Sequence, residues 1–381
     1  MKRIIVAPDS FKESLTAARA ASCIAEGIHK VLPDAEIIQI PLSDGGEGLT
    51  DTLVAGTGGQ FIHTEVSSPV GERVTARFGI LGDNQTAVIE MAEASGLALV
   101  PHERRNPMVT TTYGTGELMK AALDQGCRRM IVGIGGSATN DGGSGMAEAL
   151  GVRLLDADGH VIGPGAEGLL RLSSIDMSAA DPRLLQTEIL VASDVTNPLC
   201  GPTGASYIYG PQKGASPEML PLMDRALSNL ARVIKRDLKL EVEGMAGAGA
   251  AGGLGAGLVA FGGGKLCSGL GMVLEILGFE SKLAGGVDLV ITGEGQINAQ
   301  TLFGKVPSGV ARLAKKYDLP VVAIVGSIGS GAEKAYEAGI DAIMSITPGP
   351  ISLDEAMTRA GELVSDAAAR AMRLIMIGNP V

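Results

Sequence analysis

Short apolar runs, rich in β-branched residues, recur along the chain, and each of them ends in small polar residues. The runs are RIIVAPDS, EIIQIPLSDGGEG, RMIVGIGGSATND, EILVASDVTN, DLVITGEG, PVVAIVGSIGS and AIMSITPG. Helical periodicity lies between several of them, and it returns over residues 353–376 with an apolar stripe that we expect to face the core. Continuous apolar strands that alternate with helices are typical of parallel sheets covered on both faces. The pattern therefore predicts an α/β fold.

The pattern changes between residues 61 and 100. Here the chain reads TEVSSPVGERVTARFGILGDNQTAVIEMAEA, which predicts strands joined by turns at SPVGE and GDNQ, and hence antiparallel or mixed pairing. An α/β unit that is interrupted by a segment of another kind indicates a discontinuous first domain. We expect residues 1–60 and 288–381 to form that domain, with residues 61–287 inserted as a second α/β domain.

The composition is that of a soluble globular protein, with 45% apolar and 19% charged residues. A net charge of −11 argues against a generic nucleic-acid surface. The four cysteines form no CxxC pair, which argues against a zinc site or a disulfide framework and fits a reducing cytoplasm. The longest uncharged run, residues 244–264, has ten glycines among its 21 residues, so a membrane span is a poor interpretation. We expect a soluble cytoplasmic protein.

Acidic residues follow several of the predicted strands, where ligands of parallel α/β sheets bind. They are Asp9, Asp44, Asp141, Asp194 and Glu294. Other polar residues accompany them in the same loops. The stretch DSFK adds Ser10 and Lys12, DGGEG adds Glu47, the loop of residues 193–214 adds Asn197 and Lys213, and TGEGQINAQTLFGK adds Gln300, Thr301 and Lys305. These loops are the candidate ligand-binding segments.

The loop GIGGSATNDGG, residues 133–143, has two interpretations. Gly133, Gly135 and Ala138 match the loose dinucleotide fingerprint, and Asp156 lies roughly twenty residues further on, so an NAD(P)-dependent oxidoreductase is an alternative. Against it, Asn140 and Asp141 put a carboxylate at the expected helix start, where a pyrophosphate should lie. The sequence contains no GxxxxGK[ST] motif, but glycine-rich loops can also bind phosphate through backbone N–H groups.

Carboxylates, lysines and glycine-rich loops together favour phosphoryl transfer. That chemistry needs positioning and charge neutralisation more than a covalent group. Acids hold Mg²⁺, lysines and N–H groups hold phosphate oxygens, and one carboxylate can take the acceptor's proton. The four histidines are isolated, show neither metal spacing nor a nucleophile partner, and receive no role.

The ordered set of loop motifs resembles the bacterial class I glycerate kinases, from residue 4 to about residue 330. The motifs are APDSFKESLTA, DGGEG, GIGGSATNDGG, DVTNPL, GPQKGA, GAGAAGGLG and TGEG…QT…GK. The resemblance implies ATP- and Mg²⁺-dependent phosphorylation of D-glycerate to 2-phosphoglycerate. It also implies a flavodoxin-like parallel-sheet domain with a mixed α/β domain inserted, and a site in the cleft between them. A homo-oligomer is among the alternatives for the assembly.

Site residues follow from the loops and the resemblance together. The candidate catalytic residues are Asp9, Lys12, Asp194 and Lys213. The candidate substrate- and phosphate-binding residues are Ser10, Asp44, Glu47, Gly135, Gly136, Ser137, Thr139, Asn140, Asp141, Asn197, Glu294, Asn298, Gln300, Thr301 and Lys305. Asp194 and Glu294 are the candidate ligands of Mg²⁺.

One stretch departs from the family pattern. In that family TGEG is usually followed by Arg, an aliphatic residue and Asp, whereas this chain has Gln296, Ile297 and Asn298. The missing Arg removes a bidentate clamp for the glycerate carboxylate, and Asn298 cannot act as a base. A catalytically weak, ligand-binding relative is therefore a further alternative to an active kinase.

Overall fold

The computed structural model describes residues 2–302 and 304–378, with thirteen strands and fourteen α-helices in that range. The strands are β1 (Arg3–Pro8), β2 (Glu36–Gln39), β3 (Gln60–Ser67), β4 (Arg73–Ile80), β5 (Thr86–Glu90), β6 (Arg129–Gly133), β7 (Arg153–Leu155), β8 (Ser174–Asp176), β9 (Glu188–Ala192), β10 (Lys265–Cys267), β11 (Leu289–Ile297), β12 (Val321–Ile328) and β13 (Ala342–Ser345). The helices are α1 (Ala17–His29), α2 (Leu49–Thr57), α3 (Ala92–Ser95), α4 (Tyr113–Asp124), α5 (Ser144–Ala149), α6 (Gly165–Leu169), α7 (Ala205–Tyr209), α8 (Leu220–Leu238), α9 (Leu254–Gly262), α10 (Gly269–Ile276), α11 (Phe279–Leu283), α12 (Val306–Lys315), α13 (Leu353–Thr358) and α14 (Ala360–Gly378).

The chain divides into two compact units. Unit 1 comprises Met1–Asp44 and Leu270–Val381, and unit 2 comprises Gly45–Gly269. Both boundaries lie earlier in the chain than the predicted 60/61 and 287/288. Helix α2 belongs to unit 2 because it packs on β4 and β5, where Gly79 leaves the space that Val54 fills.

Unit 1 contains a parallel sheet with the strand order β13–β12–β11–β1–β2. Numbered within this unit, the order is 2-1-3-4-5, which is the flavodoxin-like arrangement. From β1 the chain runs to β2 on one side, and it then crosses to β11 on the other side of β1. The topological switch point therefore lies between β1 and β11. This is the place where ligands of such sheets bind.

Helices α1 and α14 pack together on one face of this sheet. Their apolar faces join the core of unit 1 through residues such as Ile24, Ile28, Val364 and Ala368. Gly27 lets the helices approach closely, since a Cβ there would overlap the carbonyl oxygen of Ser365. Most of the predicted stripe of the last helix is therefore core, as expected.

The helical pattern over residues 353–376 is nevertheless interrupted. Helix α13 ends at Thr358 and α14 begins at Ala360, with Arg359 in a non-helical conformation between them. Met357, which the periodicity places on the core stripe, instead lines a cavity in unit 1.

Unit 2 contains a mixed sheet with the order β10–β9–β6–β5–β4–β3. Strands β5, β6, β9 and β10 pair in parallel, whereas β3, β4 and β5 pair antiparallel. The antiparallel part is the segment whose turn-rich pattern predicts it, so that prediction is confirmed. A separate ribbon of β7 and β8 completes the strands of this unit.

The glycine-rich run of residues 244–264 lies inside unit 2. It forms a short 3₁₀ turn at Ala250–Gly253 and then helix α9, nearly all of it buried. Gly252 has a φ of 67°, and a Cβ at this position would overlap the carbonyl oxygen of Thr139. The run thus packs against the loop after β6. Within residues 2–302 and 304–378, no helix combines the length and apolar character needed to cross a membrane.

Candidate functional site

A cavity of about 660 Å³ lies at the carboxyl edge of the sheet of unit 1. Residues that follow or end all five strands of this sheet line it. Its polar residues include Asp9, Ser10, Lys12, Glu13, Asp44, Glu294, Gln296, Asn298 and Lys305. The strand ends therefore bring together candidate residues from loops that are far apart in sequence.

Asp9 is fixed directly after β1, beside the switch point. Its backbone N–H donates to the carbonyl oxygen of Gly293 at 2.8 Å, and its Oδ1 accepts from the Ser10 N–H at 2.6 Å. The side chain is 7% exposed. Burial, followed by the negative charge of Asp44, raises the pKa of Asp9 to about 7, and Glu294 adds to the shift.

Glu294 lies within β11, the strand on the other side of the switch point. Its Oε1 accepts from the Thr301 hydroxyl at 2.7 Å, and its Oε2 lies 3.4 Å from the Lys305 Nζ. Burial raises the pKa of Glu294 above its usual value despite these contacts. Gly293 is required beside it because a Cβ there would overlap the carbonyl oxygen of Ile324.

Negative charge accumulates in this cavity. Burial is the main reason for the raised pKa values of Asp9 and Glu294, and the negative charge of Asp44 adds to both shifts. A divalent cation would offset this negative charge, and carboxylate oxygens are the protein ligands that Mg²⁺ prefers. Lys12 and Lys305 provide positive charge in the same cavity. The donor set therefore fits Mg²⁺ together with anionic groups of a substrate.

Gln296 and Asn298 form a neutral chain of hydrogen bonds on the wall of the cavity. The Asn298 Nδ2 donates to Gln296 Oε1 at 3.2 Å, and the Gln296 Nε2 donates to the Ser327 hydroxyl at 3.2 Å. The side chain of Gln300, the next polar residue of this segment, lies outside the described part of the structure.

In unit 2, the side chain of Asp141 points into the protein. It accepts from Thr112 N–H and Oγ1, both at 2.8 Å, and from the N–H groups of Gly143 and Gly145 at 3.0 and 3.3 Å. Two of these donors lie at the N-terminus of α5, the position that a pyrophosphate would occupy in a dinucleotide site. The loop after β6 therefore gives no support to the oxidoreductase alternative.

Lys213 lies beneath the same loop and is 1% exposed. Its Nζ donates to the carbonyl oxygen of Thr139 at 2.7 Å. Burial lowers the pKa of Lys213 to about 7, and the charge of Asp141 opposes that shift. In this position Lys213 supports the backbone of the loop, and its contact with a substrate remains a prediction.

The outer surface of the loop after β6 is glycine backbone. Gly135 and Gly136 are exposed, whereas Ser137, Thr139 and Asn140 are buried. A Cβ on Gly135 would lie 3.4 Å from the Cα of Gly46, so the DGGEG and GIGGS loops are neighbours in unit 2. A ligand reaching this surface would meet glycine backbone without side chains.

The loop after β9 places its two candidate residues, Asp194 and Asn197, in different surroundings. Asp194 is exposed, as is Glu47 in the DGGEG loop. Asn197 is held within its own loop, since its Nδ2 donates to the Thr203 carbonyl oxygen at 2.8 Å and its Oδ1 accepts from the Tyr209 hydroxyl at 2.6 Å. Asp194 belongs to unit 2 and Glu294 to unit 1, and their pairing at one metal ion remains a prediction.

Sequence reasoning missed Glu90, which ends β5. Its two carboxylate oxygens accept from the N–H groups of Gly48 and Thr50 at 2.8 and 3.0 Å, so it anchors the DGGEG loop at the start of α2. The signal was present, because Glu90 also ends a β-branched run. The apolar wall of the cavity, residues 346–360, was also missed.

Comparison with known proteins decides the family. The model of the glycerate kinase family matches residues 4–376. The chain belongs to the glycerate kinase family. A glycerate kinase of Halalkalibacterium halodurans is 51% identical over 368 residues, which cover 97% of each chain. The glycerate 2-kinase of Escherichia coli is 49% identical over 376 residues, which cover 99% of this chain and 98% of the other.

A solved structure gives the same result for the fold. The structure, from Salmonella typhimurium and assigned as a glycerate kinase 2, is 48% identical, with a TM-score of 0.90 and 100% coverage of both chains. The resemblance inferred from the ordered loop motifs is confirmed, and so is the α/β fold class.

Replacing Asp9 with Asn is expected to stabilise the protein at about pH 8. The pKa of Asp9 is raised from 3.8 to about 7 in the folded chain, so the folded carboxyl binds a proton between those values while the unfolded one is ionised. The protonated Asp9 carboxyl stabilises the folded wild type at low pH, and this stabilisation is lost as the pH rises through about 7. The amide of the Asp9→Asn variant does not ionise, so the variant keeps its stability at pH 8. Urea unfolding should show a gain of about 2–4 kcal/mol at pH 8 that shrinks toward pH 5.

The matched control is Asp34→Asn, which changes an exposed carboxyl of unit 1. It should leave the free energy of unfolding within about 0.5 kcal/mol of the wild type at both pH values. A D9N protein that is no more stable than the wild type at pH 8 would show that the Asp9 carboxylate is not destabilised by its surroundings.

Replacing Lys213 with Met is expected to destabilise the protein by about 1–3 kcal/mol. The change removes the donor to the Thr139 carbonyl oxygen and the positive charge near Asp141. Lys235→Met, which removes an exposed ion pair with Glu241, should cost no more than about 1 kcal/mol. Urea unfolding of both variants measures the difference, and equal stabilities would mean that Lys213 does not hold the loop.

Proposed function

We propose that this protein is a cytoplasmic kinase that transfers the γ-phosphoryl group of ATP to the 2-hydroxyl of D-glycerate, with Mg²⁺. The observation that carries the proposal is the cavity of unit 1. There, in a chain of the glycerate kinase family, the carboxylates of Asp9, Asp44 and Glu294 and two lysines gather at the carboxyl edge of the sheet. The relative of the same family from E. coli is named a glycerate 2-kinase, which supports the choice of hydroxyl.

Asp9 acts as the general base. A base works best when its pKa lies near the operating pH, and the pKa of Asp9 is raised to about 7. Its Oδ1 accepts the Ser10 N–H, which fixes the orientation of the carboxylate. Oδ2 then takes the proton of the substrate hydroxyl as the phosphoryl group is transferred.

Asp44 and Glu294 would hold Mg²⁺ in the cavity of unit 1, and Asp194 of unit 2 stays a candidate ligand from the sequence. Thr301 and Lys305 orient Glu294 through its two oxygens. When bound, Mg²⁺ neutralises charge on the phosphate oxygens in the transition state. Lys12 and Lys305 balance the remaining anionic charge of the substrates. They supply the positive charge that the neutral Gln296 lacks.

The glycine backbone of unit 2 is a separate candidate surface for anion binding. Gly135 and Gly136 expose their backbone between β6 and the buried Asp141. Exposed N–H groups of such loops bind phosphate or carboxylate oxygens. Lys213 and Asp141 contribute by fixing the loop in this conformation.

Product analysis tests the proposed function directly. D-glycerate, ATP and Mg²⁺ should yield 2-phosphoglycerate, identified by phosphorus NMR. Asp9→Asn should fold and yet lose at least about 100-fold in kcat, because it removes the general base. Formation of 3-phosphoglycerate would contradict the regiochemistry, and the absence of product from the folded wild type would favour the catalytically weak alternative.

Replacing Asn298 with Asp tests whether the departure at this position limits catalysis. Asn298 is bonded to Gln296, and we assign the proton transfer to Asp9. We therefore expect kcat to change by less than about threefold, since the base lies elsewhere. Steady-state rates of the two forms measure it. A large gain in kcat for N298D would move the base to position 298 and remove Asp9 from that role.

A further inference from the structure

The cavity of unit 1 has an apolar half that takes no part in the proposed phosphoryl transfer. Six residues form this apolar shelf: Ile346, Ile351, Leu353, Ala356, Met357 and Ala360. They come from the segment that follows β13, from α13 and from the first residue of α14. The carboxylates and lysines of the same cavity come from the ends of β1, β2 and β11 and from the loops that follow them.

Glycerate does not explain this shelf. It is a small, fully polar molecule, and it gains nothing from contact with aliphatic side chains. A cavity of about 660 Å³ falls in the size range of sites that enclose much larger, partly apolar ligands.

Within residues 2–302 and 304–378, Leu353 of the shelf is largely exposed. Its side chain is 74% exposed although it lines the cavity, and Met357 beside it is half-buried. Apolar surface at a cavity wall, close to charged groups, is typical of a site that binds a ligand with one flat apolar part. Methionine adapts well to such a ligand because its side chain is flexible and polarisable.

We infer that the apolar shelf binds the nucleoside half of ATP. The ligand must combine an apolar face with a strongly anionic end, because the shelf and the pair Lys12 and Lys305 lie in one cavity. A nucleoside triphosphate has this combination: its base contacts the shelf, and its phosphates extend toward the lysines and carboxylates. The inference rests on the proposed function and assigns ATP to unit 1.

The test compares ATP with tripolyphosphate, which carries the anionic part without the nucleoside. Calorimetric titration with Mg²⁺ should show that the wild type binds ATP at least about tenfold more tightly than tripolyphosphate. The double variant Leu353→Gln/Met357→Gln should lose about tenfold in affinity for ATP, since two apolar contacts are removed. Its affinity for tripolyphosphate should stay within about twofold, because the charge of the site is unchanged.

The matched control is Leu185→Gln, which changes an exposed leucine of unit 2 that is 92% accessible. It should bind both ligands like the wild type, and unfolding midpoints check that all variants are folded. Equal binding of ATP by the double variant and the wild type would overturn the inference, and so would equal wild-type affinities for ATP and tripolyphosphate.

Turnover of the wild type distinguishes a failure of the shelf assignment from a failure of the proposed kinase function. If the wild type makes 2-phosphoglycerate while the double variant binds ATP normally, the shelf assignment fails and the proposed kinase stands. If the folded wild type neither binds ATP nor makes product, the proposed function fails and the shelf assignment fails with it.

Discussion

Burial of the Asp9 carboxylate beside two other acids is the constraint on which the functional reading depends. The parallel pairing of β1 with β11 puts Asp9 and Glu294 at one edge of the sheet, and Asp44 follows β2 at the same edge. Burial of the Asp9 carboxyl raises its pKa to about 7, and the negative charges of Asp44 and Glu294 add to the shift. The fold holds these groups together at a cost to stability, which is typical of a functional site rather than of a structural ion pair.

In unit 2, an aspartate and a lysine are also buried, but they form hydrogen bonds within the protein and do not line the cavity. Asp141 is also fully buried, but it accepts four hydrogen bonds that are donated by its own loop and by Thr112. Lys213 is buried as completely and donates to a carbonyl oxygen of that loop. These groups are satisfied internally, and their effect is to present the glycine backbone of Gly135 and Gly136. The difference between the two units lies in the partners of each carboxylate, and burial alone does not distinguish them.

Much of this arrangement could be predicted from the sequence. Alternating apolar strands and helices predict the α/β fold, and the turn-rich stretch predicts the antiparallel part of the second sheet. The rule that ligands bind at strand ends selected Asp9, Asp44 and Glu294, which line one cavity, and their part in ligand binding stays a prediction. The same rule selected Asp141, whose inward orientation depends on donors from Thr112, which is remote in sequence. Met357 fits a helical core stripe, and only the break at Arg359 places it in the cavity. Tertiary contacts of this kind leave no local signal.

The most direct test of the account is the ionisation of Asp9 itself, observed by carbon NMR of the aspartate carboxyl groups, with the Asp9→Asn protein used for assignment. The account predicts a carboxyl that titrates near pH 7 without Mg²⁺, and at a lower pH when Mg²⁺ is added, because a nearby cation favours the charged form. An Asp9 carboxyl with a pKa near its ordinary value of 3.8 under both conditions would show that burial and the neighbouring acids do not raise its pKa.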